Sequence, residues 1–289
     1  MRITDGARQA IVESSLARVR SDHARALETA STGARVLRAS DDPVAAAELA
    51  RSSARAARLE SHQVTARTVR GDVELAESSL AQATDVLVRA REIATQAANG
   101  SYSAEDRQRM ADEVGALREH LRSVANVRGS KGYLFAGSLT TTAPVDGTGA
   151  FVGDDTLARV DVAPGTTVTV GQSGRGAFAR AGGRDVFADL AALEASLSTD
   201  DQAGVAASLD VLEQGERQLV DARAGAGLTL ERLDVAETIG AEAGVALSAH
   251  VERVGAAPLP EAFSRLVSLE SAFEQAVSVA RRTLELSLF

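Results

Sequence analysis

From Pro43 to Ala98 the chain has no second proline, and apolar residues return every three or four positions. The series Leu59, His62, Ala66, Val69, Val73, Ala76, Leu80, Ala83, Leu87, Ala90, Ala94 and Ala97 marks one face of a single helix. At about 1.5 Å per residue such a helix is a rod of roughly 80 Å, which a compact globule does not hold comfortably. The start is specified too: Asp42 is a good N-cap, and Pro43 suits the first helical turn.

The same stepping recurs on either side. Val12, Leu16, Val19, His23, Ala26, Ala30 and Gly33 form a seam in the first arm. After the Asn99-Gly100 turn, Ser103-Ala104-Glu105-Asp106 reads as a capped helix start, and Met110, Val114, Leu117, Leu121 and Val124 follow. That third helix ends near Gly129 and folds back on the second. Half of the 24 glycines lie between Gly129 and Gly183, together with Pro144 and Pro164. Within that window 157–162 and 166–170 alternate as strands around Pro164-Gly165, a small antiparallel unit. Helix resumes after Asp185. Another helix runs from Asp200-Asp201 towards His250, with an interruption expected at Gly225–Gly227, and Pro258 and Pro260 end it. The last helix carries Phe263, Leu266, Leu269, Phe273, Val277, Ala280, Leu284 and Leu288.

The expected fold is therefore mainly α with a small β-rich insert, its long antiparallel helices or coiled coil formed by the N- and C-terminal arms. Five segments follow: an N-terminal assembly helix over 1–42, a helical hairpin over 43–137, a β-rich variable insert over 138–184, returning helices over 185–257, and a C-terminal assembly helix over 258–289. Composition agrees. Aromatics make up 3% of the chain, so Ala, Leu and Val must fill the interior, which suits helix-on-helix packing. With no Cys, disulfides, thiolate metal sites and Cys nucleophiles are excluded. No apolar stretch reaches about 18 residues, so no transmembrane helix is expected, and the first thirty residues lack the apolar core of a cleaved secretory signal. A net charge of −9 argues against general nucleic-acid affinity. That charge is uneven: residues 1–70 carry +4 and the remainder −13.

Three stretches resemble the bacterial flagellin family. Thr32-Gly33-Ala34-Arg35-Val36-Leu37 with Ser40-Asp41-Asp42-Pro43 is similar to the family's N-terminal motif. Pro43 favours the members that join hook to filament over the filament subunits, which usually have Ala after Asp-Asp. Gly132-Tyr133-Leu134-Phe135-Ala136-Gly137-Ser138 is similar to the signature of those junction members, and Leu286-Ser287-Leu288-Phe289 to their ending. The resemblance covers roughly 1–138 and 185–289. It implies a flagellin-like, secreted, extracellular structural protein of the bacterial flagellum, exported unfolded by the type III apparatus to the hook–filament junction. The terminal helices would be disordered in the free monomer and would form a coiled-coil layer on assembly. The implied partners are further copies of itself in a ring, the other hook-associated junction protein on the hook side, flagellin on the filament side and an export chaperone. No cofactor, nucleic acid or membrane is implied. Val12, Leu16, Val19, Leu266, Leu269, Phe273, Val277, Leu284 and Leu288 become the candidate assembly interface. Asp41, Asp42 and Pro43 are the cap motif, and Tyr133, Leu134 and Phe135 the junction signature.

Other patterns read more plainly. Gly171–Gly176 lacks the Gly-Lys-Ser/Thr ending of a phosphate loop and reads as a hairpin or loop. His23, His62, His120 and His250 have no metal-ligand spacing. Arg51, Arg55, Arg58, Arg67 and Arg70 make a basic face, suited to solvent or to salt bridges between subunits. Asn99-Gly100-Ser101 matches a glycosylation acceptor but is explained by a turn. The competing functions are a filament flagellin, a coiled-coil sensor with a β ligand module, and an enzyme with its site in the insert. The sensor would need a membrane anchor. The insert offers the enzyme neither a nucleophile–base pair nor a metal cluster. The insert, set apart by composition, is expected to be dispensable for assembly.

Overall fold

The computed structural model describes residues 5–99, 101–170 and 173–286. Its elements run α1 (Asp5–Thr32), α2 (Pro43–Ala97), α3 (Ala104–Ala125), β1 (Arg128–Gly129), β2 (Gly132–Tyr133), β3 (Ala158–Ala163), β4 (Thr166–Val170), α4 (Gly174–Phe178), α5 (Val186–Ser198), α6 (Gln202–Gly255) and α7 (Leu259–Leu286). The architecture is mainly helical with two small two-stranded antiparallel sheets, β1–β2 and β3–β4. The chain forms two compact units, one from residues 1–57 with 243–289, the other from 58–242.

In the unit 58–242, two hydrophobic clusters lie along α2 and α6. The larger takes Leu80, Leu87 and Ile93 from α2, Val114 and Leu121 from α3, Leu190, Leu193 and Leu197 from α5, and Leu212 and Leu219 from α6. Phe135 and Phe178 meet edge-on inside it, ring centroids 5.2 Å apart. Gly174 passes directly under Phe135: a Cβ there would lie 2.1 Å from the Phe135 carbonyl oxygen, so only glycine fits. The smaller cluster joins Ala66, Val69 and Val73 of α2 to Ala226, Leu233 and Ala236 of α6, closed by Val162, Ala163 and Val168 of the β3–β4 hairpin. A bulge between Asp161 and Ala163 breaks the strand alternation, so the neighbours Val162 and Ala163 are both buried.

Local signals explain the helix starts. Ser103 and Asp106 close a reciprocal capping box at α3. Asp185 accepts from the amides of Phe187 and Ala188 at α5, and Asp201 accepts from the Ala203 amide at α6. Asp200, at φ 57°, turns the chain between these two helices.

One expectation needs correction. The interruption expected at Gly225–Gly227 does not occur, and α6 is continuous. Two glycines cost about 1 kcal/mol each in helix propensity, but Ala226 between them is fully buried in the smaller cluster, and that packing prevails. The insert, distinct in composition, packs onto both clusters. Val145, Ala177 and Phe178 belong to the larger cluster and the hairpin closes the smaller one. Its glycine-rich composition reflects turns and close approaches rather than detachment. Within Gly171–Gly176, residues from Gly174 onward form the short α4, capped by the Ser173 hydroxyl.

Candidate assembly surface

In the unit of residues 1–57 and 243–289, α1 packs against α7. Val12, Leu16 and Val19 on α1, and Leu266, Leu269, Phe273 and Val277 on α7, are all half-buried. His23 stacks on Phe273 at 5.7 Å with the rings 15° apart. Each terminal helix thus has the other as its partner within the chain. The Leu284 side chain and Leu288 lie outside the described residues. The α7 seam begins at Ala262 rather than Phe263, which is 52% exposed. At 100° per residue, Ala262 shares a face with Leu266, Leu269 and Phe273, and Phe263 sits beside it. The apolar residues buried in this unit, among the described residues, are Ala26, Ala30, Ala45, Ala262 and Ala280. Ile11, Leu27, Phe263, Val267 and Val279 are exposed.

The motif between α1 and α2 is stitched to the end of α6. Gly33, in the left-handed region at φ 67°, ends α1. Its carbonyl accepts from the Ala257 amide at 2.8 Å, and the Arg35 amide donates to the Gly255 carbonyl at 2.7 Å. The Arg35 guanidinium donates to Asp42 Oδ2 and to the Val254 carbonyl, each at 3.0 Å. Asp42 Oδ1 accepts from the Ala45 amide at the start of α2. That amide bond, then the Arg35 hydrogen bond, holds the Asp42 carboxyl below its ordinary range. Asp41 accepts from the Arg38 amide at 2.8 Å. Both aspartates are committed to capping and turn geometry, and Pro43 opens α2.

In the other unit, Tyr133 and Leu134 are half-buried and Phe135 is fully buried. The Arg128 guanidinium lies 4.4 Å over the Tyr133 ring. Asp154 receives the Ser138 amide at 2.8 Å and the Ser138 hydroxyl, which holds its carboxyl low. Two anchoring residues escaped the sequence reading. Asp72 of α2 accepts the Ser130 amide at 2.8 Å and hydroxyl at 2.5 Å, pinning the β1–β2 turn. Buried Gln218 of α6 donates to the carbonyls of Ala177 and Arg184 and accepts from the Arg184 amide. A lone Asp or Gln on a helix carries no sequence signal of such a bond. Glu216 is the opposite case to the capping aspartates: burial pushes its carboxyl up, partly offset by Arg91. Among the described residues, no three His, Cys, Asp or Glu side chains are placed to hold a metal ion. No described helix is long and apolar enough to cross a membrane.

Residues 3–140 match the bacterial flagellin N-terminal helical region. The N-terminal part of the chain is thus similar to the flagellins. The similarity extends beyond that shared region. Flagellar hook-associated protein 3 of Escherichia coli (strain K12) is 29% identical over 239 residues, which cover 74% of this chain and 75% of that relative. The protein of the same description from Salmonella typhimurium is 33% identical over 153 residues, 52% of this chain and 48% of its own. Filament flagellins match over 35–36% of the chain. The solved structure of the flagellar junction protein from Legionella pneumophila superposes with a TM-score of 0.59 at 18% identity, covering 72% of this chain and 99% of that one. At that identity the likeness bears on the fold alone, and the flagellin-like architecture is common to both.

Proposed function

We propose that this chain is a flagellin-family structural subunit of the bacterial flagellum, forming the junction between hook and filament. The observation that carries this reading is the extent of similarity. The match to a hook-associated protein 3 spans 239 residues, well beyond the N-terminal region common to the family, whereas the flagellin matches cover about a third of the chain. The described fold supports a structural role. Its acidic side chains serve caps, turns and ion pairs, and the terminal helices leave large apolar side chains exposed.

On this reading the protein works outside the cell as a non-enzymatic ring of copies. It meets the other hook-associated protein on the hook side and flagellin on the filament side, and an export chaperone guards it beforehand. Val12, Leu16, Val19, Leu266, Leu269, Phe273, Val277, Leu284 and Leu288 line the layer that forms when neighbouring terminal helices associate. Electron microscopy of a strain lacking the gene tests the reading. Hooks without attached filaments, restored by the wild-type gene, are expected. Normal filaments in the deletion strain overturn it. Truncated or absent hooks would move the role to an earlier stage of assembly and overturn it equally.

A further inference from the structure

The sequence holds two asparagines, and the fold treats them differently. Asn126, at the end of α3, has a locked side chain. Its Nδ2 donates to the Val145 carbonyl at 2.9 Å, and its Oδ1 accepts the Val145 amide at 3.0 Å. Asn99 lies in the turn that follows α2. Its backbone amide donates to the Gln96 carbonyl at 3.1 Å, but its side chain is exposed and makes no hydrogen bond among the described residues. Their neighbours differ as well. Val127, branched at Cβ, follows Asn126, whereas Gly100, with no side chain, follows Asn99. Gly100 lies outside the described residues and matters through its covalent identity alone.

These differences bear on one reaction. Asparagine is thermally labile because the next backbone nitrogen attacks its side-chain amide carbon. The attack needs an uncrowded nitrogen and a side chain free to turn back on it. A hydrogen-bonded side chain and a β-branched neighbour oppose it at position 126, and neither opposes it at 99. Two aspartates also precede glycine, Asp5 and Asp146. A carboxyl group follows the same route in its protonated form, and an ordinary aspartate is ionised at neutral pH. Asp146 is held further. Its Oδ1 accepts the Thr148 hydroxyl at 2.6 Å, the Thr148 amide at 2.8 Å and the Ala150 amide at 3.0 Å. Those bonds keep its carboxyl below the ordinary range.

We propose that Asn99 is a site of spontaneous modification, at which the Gly100 nitrogen turns the side-chain amide into a carboxylate without an enzyme. The Gly100 backbone nitrogen gives up its proton to hydroxide and bonds to Asn99 Cγ. The Cγ–Nδ2 bond breaks, ammonia leaves, and a succinimide ring remains. Water then opens the ring at one of its two carbonyls. Opening at the Cγ carbonyl leaves an ordinary aspartyl link, and opening at the α-carbonyl leaves an isoaspartyl link through the side chain. Water is consumed, ammonia is released, and no electrons are exchanged. Either product adds one negative charge to the −9 that the chain carries. That charge falls beside the last carbonyls of α2, where the helix dipole disfavours it. The isoaspartyl link also lengthens the main chain close to Ala97, which is fully buried in the larger cluster. Only water is required, so the modified fraction of a population of chains rises with its age, whatever the chain assembles into.

The test is peptide mass spectrometry on the full-length protein kept in warm, mildly alkaline buffer. Trypsin releases Asn99 within residues 92–107 and Asn126 within residues 123–128. The 92–107 peptide should convert to two products, each heavier by the difference between a hydroxyl and an amino group. The isoaspartyl product should accept a methyl group from an isoaspartyl methyltransferase. The 123–128 peptide should convert at least tenfold more slowly, behind its branched neighbour. Gly100→Ala should slow conversion at position 99 about tenfold, because a Cβ crowds the attacking nitrogen. That slowing comes from residue 100 itself, so it is read equally in a variant that folds poorly. An unconverted 92–107 peptide, equal rates at the two asparagines, or a Gly100→Ala variant as fast as wild type overturns the site.

Discussion

The unit of α1 and α7 buries alanines, whereas the unit 58–242 buries Leu80, Leu87, Ile93, Leu121, Phe135 and Phe178 to below 2% exposure. Each fully buried Leu or Phe contributes about 1.5–3 kcal/mol, and a methyl group contributes about a third to a half of that. The second unit is thus self-sufficient. The first is helical and paired, but its large side chains are half-used. Heptad stepping alone does not separate the two cases, because it marks a face without saying how deeply that face is covered.

This contrast predicts where damage is felt. Phe178→Ala removes the ring that Phe135 and Phe187 contact. It should cost about 3–5 kcal/mol, or roughly 5–20 °C in a thermal melt. A shift under 3 °C would mean the larger cluster is not the stabilising one. Replacing residues 158–170 with a short Gly/Ser link uncovers the α2 and α6 residues beneath Val162 and Val168. An expected loss of about 3–5 kcal/mol, measured by urea unfolding, would show the hairpin to be part of this unit's core, and an unchanged midpoint would show that it is not. Gln218→Leu strands the Ala177 carbonyl and the Arg184 amide, while the Arg184 carbonyl keeps the Arg180 amide, and should cost about 2–4 kcal/mol. Leu269→Asp with Phe273→Asp falls on the half-buried pair and should lower the monomer melt by only a few degrees while abolishing filament attachment. A large melt loss with normal motility would make α7 ordinary core.

The smallest effect is a pH dependence. Burial raises the Glu216 carboxyl above its unfolded value. Its contribution is therefore favourable below the unfolded pKa and is lost as pH rises through the folded one. Relative to wild type, Glu216→Gln should gain stability as pH rises above the ordinary glutamate value of 4.5. An unchanged difference across that rise would show the Arg91 contact cancelling the burial.

Much of this was legible in the residues. Asp42-Pro43, Ser103-x-x-Asp106 and Asp185 each place a helix start through a side chain that accepts nearby amides, a purely local interaction. The β3–β4 hairpin followed from alternation around Pro164 and Gly165, the latter at φ 76°. What escaped was non-local. Gly225 and Gly227 stay helical because Ala226 packs on residues more than 150 positions earlier. The insert is held because a bulge turns Val162 and Ala163 both inward. For the assembly face, the 3–4 stepping identified the half-buried sides of α1 and α7.

The position of α6 in the chain also sets a clock. Leu212, Leu219 and Leu233 complete both clusters begun by α2, and a polypeptide emerges from its N-terminus onward. Residues 66–97 meet α3, the hairpin and α5 earlier, but their α6 partners are complete only when about residue 236 has appeared. Closure over such long separations is slow. Until then both clusters stay open on one side, so a late closing step is built into the order of the helices.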